Sequence, residues 1–108
     1  MSVRNGEHPM KHPTVLLLVR VRTKLPLDEV MARAEKRMPD FRALPGLLQK
    51  YYVQDPETGE IGGLYLWESP DALAEYRESE LRKTIAEAYE AEEDPRVELL
   101  RVITPLRD

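Results

Sequence analysis

Four residues that could carry chemistry lie in two neighbouring stretches of the sequence that share a face if they pair as strands. Lys50 and Tyr52 lie in the first stretch, and Tyr65 and Trp67 lie in the second. Burial lowers the pKa of a lysine, so Lys50 could act as a base, and its charged form could stabilise a phenolate. The tyrosines could hydrogen-bond a substrate while Trp67 stacks on its ring. This group predicts a pocket for a small aromatic molecule, with Lys50, Tyr52 and Tyr65 as the catalytic candidates.

The same residues also fit a structural interpretation, which stays open. Aromatic residues of strands commonly serve packing, so Tyr65 and Trp67 could be core or dimer-interface residues. Lys50 would then pair with an acid. Tyr51 lies on the opposite face, and a register shifted by one residue would bring it into the site instead.

Two further pairs allow two interpretations each. Gly62 and Gly63 either leave room for a ligand, which would make Gly63 part of the substrate-binding set, or mark a bulge or close backbone approach. Arg20 and Arg22 point away from the predicted core. They are more typical of salt bridges at an interface than of a carboxylate-binding site.

The only histidines are His8 and His12. Their four-residue spacing would serve a metal on a helix, but Pro9 and Pro13 prevent that helix, and an unstructured tail is expected. The chain has no cysteine, which excludes disulfides, thiolate catalysis and cysteine-based metal sites. The sequence therefore predicts no metal site.

Composition and charge indicate an ordinary folded domain. At 108 residues the chain supports one hydrophobic core, and its formal net charge of −4 gives no general attraction to nucleic acid. No apolar run reaches the roughly 18 residues of a membrane span, and the N-terminus lacks the apolar stretch of a secretory signal. We expect a cytoplasmic protein without a nucleic-acid or membrane partner.

The strongest local pattern is a hairpin. Strands are predicted over 47–55 and 60–68, joined by a turn in which Pro56 suits an early turn position and Gly59 a left-handed one. Placing Asp55 opposite Glu60 fixes the register. The pairs predicted on one face are Lys50 with Tyr65, Tyr52 with Gly63, and Leu48 with Trp67.

The remaining elements follow from hydrophobic periodicity. A first strand over 14–22 is apolar on both faces in its first half, and a helix begins at Leu27 and runs to about Leu44, ended or kinked at Pro39. Ser69 and Ser79 are predicted to cap two further helical segments, and a last strand covers 97–103. Residues 1–13 are expected to form a flexible tail before a single domain over 14–108.

The element order predicts the α+β class with a ferredoxin-like βαββαβ fold. Right-handed crossovers place the first and third strands at the centre of a four-stranded antiparallel sheet, with the helices on one side. The other side would expose several large apolar residues, too many for a monomer. We therefore expect a homodimer in which a second copy covers this side.

The motifs GLLQKYY (46–52), GGLYLWES (62–69) and ALAEY (72–76) resemble the YdhR-type monooxygenases. These belong to the dimeric α+β barrel superfamily, which includes the antibiotic biosynthesis monooxygenases. The resemblance covers roughly residues 14–105. The superfamily also holds isomerases, haem-degrading enzymes and proteins with no known reaction, so the fold alone does not determine the activity.

The resemblance implies a pocket between the helices and the sheet of each subunit. In the antibiotic-type members such pockets oxidise activated phenols or anthrones to quinones with molecular oxygen and no cofactor. For this chain it implies a cofactor-independent monooxygenase acting on a small aromatic or polyketide-like compound. The alternative is a homodimer that binds a small hydrophobic molecule without turnover. The predicted domain has no histidine, which disfavours haem degradation.

Overall fold

The structure is a computed structural model that describes residues 11–108. It contains four strands, one long helix and three short helices in the order β-α-β-β-α-α-α-β. The elements are β1 (Val15–Val21), α1 (Leu27–Arg42), β2 (Leu47–Gln54), β3 (Ile61–Trp67), α2 (Pro70–Arg77), α3 (Glu80–Lys83), α4 (Ile85–Ala88) and β4 (Arg96–Arg101). Of the predicted N-terminal tail, residues 1–10 lie outside the described residues, and with them His8.

The four strands form one antiparallel sheet in the order β2-β3-β1-β4. The predicted ferredoxin-like topology is confirmed, with β1 and β3 at the centre. Every second residue of β1 is buried, from Val15 to Val21, and these side chains face the helices. We call this side of the sheet the core face and the other side the open face.

The hairpin has the predicted register over most of its length. Lys50 pairs with Tyr65 and Tyr52 with Gly63, and the Asp55 N–H donates to the Glu60 carbonyl at 2.8 Å. The prediction that Leu48 faces Trp67 is wrong, because a β-bulge between Leu47 and Gln49 shifts the register. Leu47 pairs with Trp67 instead and packs against the core.

The sequence predicted that Pro39 either ends or kinks helix α1. The helix does not end there. The helix continues to Arg42, and the N–H of Ala43 still donates to the Pro39 carbonyl at 3.2 Å. A proline inside a helix removes one hydrogen bond, but burying Phe41 on the core face gives the last turn a compensating contact. This continuation places Phe41 over the sheet.

The two serine caps are confirmed. Ser69 Oγ accepts a hydrogen bond from the Ala72 N–H at 3.1 Å, and Ser79 Oγ accepts one from the Arg82 N–H at 3.3 Å. Pro70 occupies the first turn of α2, where its missing N–H costs nothing. Gly46, with φ of +80°, precedes β2 and would bring any Cβ within 2.4 Å of Ala72 Cβ, so the turn packs directly on α2.

The open face is apolar in one part and charged in the other. Leu16, Leu18, Leu64 and Leu66 are half-buried there, and Tyr51 is 53% exposed. The charged part includes Arg20 in β1 and Arg22, which directly follows β1. Arg20 lies 3.5 Å from Asp55 and Arg22 lies 3.7 Å from Glu60. Among residues 11–108, no helix is long and apolar enough to cross a membrane.

Candidate functional site

A cavity of about 160 Å³ lies between the core face of the sheet and helix α1. Most of its wall is aliphatic or aromatic, because the buried face of α1 supplies Val30, Met31 and Ala34 and strand β1 supplies Val19 and Val21. A cavity of roughly 150 Å³ with a similar apolar lining can hold one benzene ring. The size and lining therefore suit a single aromatic ring.

Lys50 brings the main polar group of the cavity. Its Nζ lies 3.3 Å from the ring centroid of Phe41 and 4.5 Å from those of Tyr52 and Tyr65. We call these three rings the aromatic cage. Within the described residues no carboxylate pairs with Lys50. Burial, together with the nearby Arg37 guanidinium, lowers the pKa of Lys50 to about 7. The lysine is thus half deprotonated near neutral pH.

The tyrosines around the cavity stay neutral under the same conditions. Burial raises the pKa of Tyr52 and of Tyr89, and raises that of Tyr65 well above 10. The Tyr76 hydroxyl donates to the Tyr65 hydroxyl at 3.2 Å. Because a neutral phenol can both donate and accept a hydrogen bond, Tyr52 and Tyr65 can orient a bound hydroxyl or carbonyl group.

Arg37 supplies a positive charge that acts on Lys50. Its guanidinium donates to the Leu81 carbonyl at 2.7 Å and to Thr84 Oγ1 at 3.2 Å, which ties α1 to α3 and to the residue that precedes α4. Its carbon Cζ lies 5.8 Å from the Phe41 ring centroid. This charge opposes protonation of Lys50.

Gly62 and Gly63 were predicted either to leave room for a ligand or to allow a bulge or close backbone approach. Each glycine fits a different one of these interpretations. A Cβ at Gly63 would lie 2.9 Å from the Tyr65 ring and 3.0 Å from Lys50 Cε, so Gly63 makes room for the site itself. A Cβ at Gly62 would lie 2.3 Å from the Val19 carbonyl oxygen, which is a close backbone approach. Gly63 also lines the cavity.

Four of the six residues proposed from the sequence surround the cavity, namely Lys50, Tyr52, Tyr65 and Gly63. The other two do not line it. Trp67 is fully buried in the core, stacked on Tyr65 with ring centroids 6.3 Å apart, so its ring presents no free face to a ligand. Tyr51 is on the open face, because the register at this point is the predicted one.

The structure adds two aromatic residues that the sequence reasoning did not assign to the site. Phe41 forms one wall of the cage and Tyr89 lines the cavity beside it. Phe41 is the only phenylalanine of the chain, but the expected break at Pro39 separated it from α1. Tyr89 continues the apolar stripe of its helix. Periodicity alone cannot distinguish a residue that packs in the core from one that lines a cavity, so this pattern did not assign Tyr89 to the site.

No group of three or more histidine, cysteine, aspartate or glutamate side chains within residues 11–108 is arranged to hold a metal ion. The polar groups at the cavity are an amine, hydroxyls and the Gln54 amide, all of which can form hydrogen bonds.

The chain is similar to known proteins in both sequence and fold. Residues 16–95 match the family described as "Putative mono-oxygenase ydhR". No curated protein matches the chain at a significant level. Among solved structures, SnoaB from Streptomyces nogalater, a cofactor-independent oxygenase, superposes with a TM-score of 0.69 at 14% identity, over 89% of this chain and 99% of SnoaB.

Two other structures show the same fold. Rv0793 from Mycobacterium tuberculosis has a TM-score of 0.66 at 17% identity, covering 86% of this chain and 98% of its own. A protein of unknown function from Nitrosomonas europaea has a TM-score of 0.71 at 14% identity, covering 91% of this chain and 97% of its own. These identities establish the fold alone, whereas the family match spans about three quarters of the sequence. The chain belongs to the ydhR mono-oxygenase family.

Proposed function

We propose that this chain is a mono-oxygenase that needs no bound cofactor and oxidises a single-ring phenol to a quinone with molecular oxygen. The observation that carries the proposal is the Lys50 amine, which reaches an apolar cavity without an acid partner among the described residues. Family membership and the structural similarity to SnoaB support the reaction class. The cavity volume favours one ring over a polyketide-like ring system.

The proposed reaction begins with a proton transfer. Lys50 accepts the phenolic proton, and the phenolate of a phenol activated by an electron-donating substituent can pass one electron to oxygen. The two radicals combine at the para carbon, and the hydroperoxide loses water to give the quinone. One oxygen atom enters the product and the other leaves as water, so a phenol and one O₂ give a quinone and one water.

The free-energy cost of the proton transfer indicates which groups must stabilise the two ions that it forms. Moving a proton from a phenol of pKa near 10 to an amine of pKa about 7 costs about 4 kcal/mol before the two ions attract each other. In a cavity of low polarity that attraction is strong, and the aromatic cage stabilises the ammonium ion. In this proposal Tyr52 and Tyr65 donate hydrogen bonds to the phenolate oxygen.

The test is oxygen uptake with 2-methoxyphenol, an activated phenol with a free para carbon, and with hydroquinone, with an anthrone as a three-ring comparison. We expect uptake with the single-ring compounds and one atom from ¹⁸O₂ in the quinone formed from 2-methoxyphenol. Lys50→Met should reduce the rate by about 100-fold or more, the usual contribution of a general base. Lys24→Met is the matched control, because Lys24 is 88% exposed and pairs with Glu92.

Uptake no faster than in buffer for all three compounds would contradict the proposal, as would full activity in Lys50→Met. If phenols bound with a measurable Kd but no oxygen were consumed, the alternative of a small-molecule-binding protein without turnover would be the better account. The lowered pKa of Lys50 and its access to the cavity favour turnover over that alternative.

We also propose that a second copy of the chain covers the open face of the sheet. That face carries a leucine cluster in its centre, and Tyr51 and Leu100 are each more than half exposed. In the charged part, arginines and acids already pair within one chain, so no strong field of one sign repels an identical partner. A face that is apolar and electrically balanced can pack against its own copy.

A further inference from the structure

Lys50 differs from the exposed lysines in its surroundings. Lys24 lies in solvent within 3.6 Å of Glu92, and Lys11 is exposed and paired with Glu68. Lys50 Nζ instead contacts the faces of three aromatic rings and opens onto the apolar cavity. An amine in this position is a nucleophile that no described carboxylate holds in its protonated form.

The aromatic cage suits a cation that remains bound to the lysine nitrogen. A protonated imine carries its positive charge on the same nitrogen as an ammonium ion, so the faces of Phe41, Tyr52 and Tyr65 would stabilise it in the same way. The substituent on the imine carbon would extend into the cavity, whose volume of about 160 Å³ fits one aromatic ring or a short alkyl chain. The apolar wall would also limit access of the water that hydrolyses imines.

We propose that Lys50 captures small apolar aldehydes as reversible imines within this cavity. The nitrogen lone pair forms a bond to the carbonyl carbon, and the carbonyl electrons move to oxygen, which takes up a proton. The resulting carbinolamine expels water as the C–O bond breaks and the C=N bond forms. One amine and one aldehyde thus give one imine and one water, and no oxidant or reductant is needed.

The protonation state of the lysine supports this chemistry. With a pKa of about 7, roughly half of the Lys50 side chains are free amines at pH 7, whereas a solvent-exposed lysine of pKa near 10.4 is free in fewer than one molecule in a thousand. Lys50 should therefore react selectively at neutral pH, even though a less basic amine is a somewhat weaker nucleophile.

The capture does not depend on the proposed oxidation, although both use the same amine. An aldehyde that occupies Lys50 should inhibit oxidation of phenols, but imine formation can be measured when no oxidation occurs. The two proposals can therefore fail separately.

The experiment uses benzaldehyde as the probe, with borohydride to reduce any imine to a stable amine, followed by mass spectrometry of peptides. At pH 7 we expect the benzyl adduct on Lys50 to exceed that on each of the other four lysines, Lys11, Lys24, Lys36 and Lys83, by at least about tenfold. Labelling of urea-unfolded protein corrects for differences in peptide detection. A phenol that fills the cavity should reduce labelling of Lys50 and leave Lys24 unchanged.

Two variants separate chemistry from folding. Lys50→Arg keeps a cation in the cage but cannot form an imine, so its labelling should be confined to the surface lysines. Phe41→Leu keeps the amine and removes one ring, so the adduct at Lys50 should persist but form less completely. Labelling of folded native protein that follows side-chain exposure, with Lys50 no more reactive than Lys24, would overturn the proposal.

Discussion

Lys50 lies where a charged side chain is costly and where no described acid offsets that cost. Its aliphatic stem is held against Gly63, which has no side chain to displace it, and its amine lies among the rings of the aromatic cage. Arg37, whose charge acts on Lys50, has the same sign. Burial and repulsion thus both favour the neutral amine, and this arrangement is typical of functional sites, where stability is often sacrificed for reactivity.

The surroundings of Lys50 lead to a prediction about stability and pH. The charged and titratable groups around it come from four elements and a helix end: Arg37 (α1), Tyr52 (β2), Tyr65 (β3), Tyr76 (α2) and Tyr89 at the end of α4. The raised pKa values of the tyrosines keep them neutral below pH 10. Lys50 is therefore the group of this set that titrates near pH 7.

Between pH 7 and about 10 the unfolded chain holds a proton on Lys50 that the folded chain has lost, so the free energy of unfolding rises with pH over this range. Replacing Lys50 by Met should stabilise the protein most at pH 6 to 7. The gain should shrink by about 2 kcal/mol as the pH rises to 9. Urea unfolding of both proteins at several pH values measures this difference, and Lys24→Met should show no such trend. A gain that increased with pH would contradict the lowered pKa.

At the scale of elements, the site depends on how helix α2 begins and on how far helix α1 continues. The Ser69 cap starts α2 directly after β3 and so places Tyr76 against Tyr65. The turn at Gly46 packs on the same helix. Helix α1 continues past Pro39, and only this last turn brings Phe41 over the amine of Lys50. Local capping and turn geometry therefore align side chains that lie far apart in the sequence.

Replacing Ser69 by Ala tests the contribution of the helix cap, because it removes only the Ser69 Oγ atom. The substitution removes the acceptor for the Ala72 N–H and should lower the free energy of unfolding by about 1 kcal/mol, measured by urea denaturation. Ser69→Asp should retain most of the stability, because a carboxylate also caps a helix and favours its positive end. Equal losses in the two variants would show that the cap does not account for the effect.

At the scale of the whole molecule, the helices of residues 11–108 all lie on one side of the sheet. The core face is covered by α1, α2 and the two short helices, whereas the open face presents leucines from both central strands to solvent. Monomers rarely leave a large contiguous apolar patch exposed. The proposed homodimer would bury these leucines.

We predict that the native protein has a mass in solution of twice the 12.5 kDa of one chain. Leu66→Asp and Tyr51→Asp place a charge on the open face and should shift the mass measured by light scattering toward that of one chain, with the far-ultraviolet circular dichroism unchanged. Leu27→Asp is the control, because Leu27 is 49% exposed but lies at the start of α1, away from the open face. A native mass of one chain at micromolar concentration would contradict the prediction.

The sequence by itself determined the order of the strands, both serine caps and the pairing of Lys50 with Tyr65 and of Tyr52 with Gly63. These follow from alternation, turn residues and capping residues, which act over a few neighbouring positions. The bulge before Gln49 had no local signal, because two-residue periodicity cannot show where one residue is left unpaired.

Only the tertiary structure decided which aromatic residues surround the amine. Phe41 and Tyr89 join Lys50 from helices that are distant in the sequence, while Trp67, which shares a strand face with Tyr65, is enclosed by the core. A strand pattern fixes the side of the sheet on which a side chain lies, but the packing of helices over that side fixes whether the side chain meets a cavity or another ring. For this reason the pKa of Lys50 and the volume beside it are properties of the fold and could not be obtained from the spacing of residues.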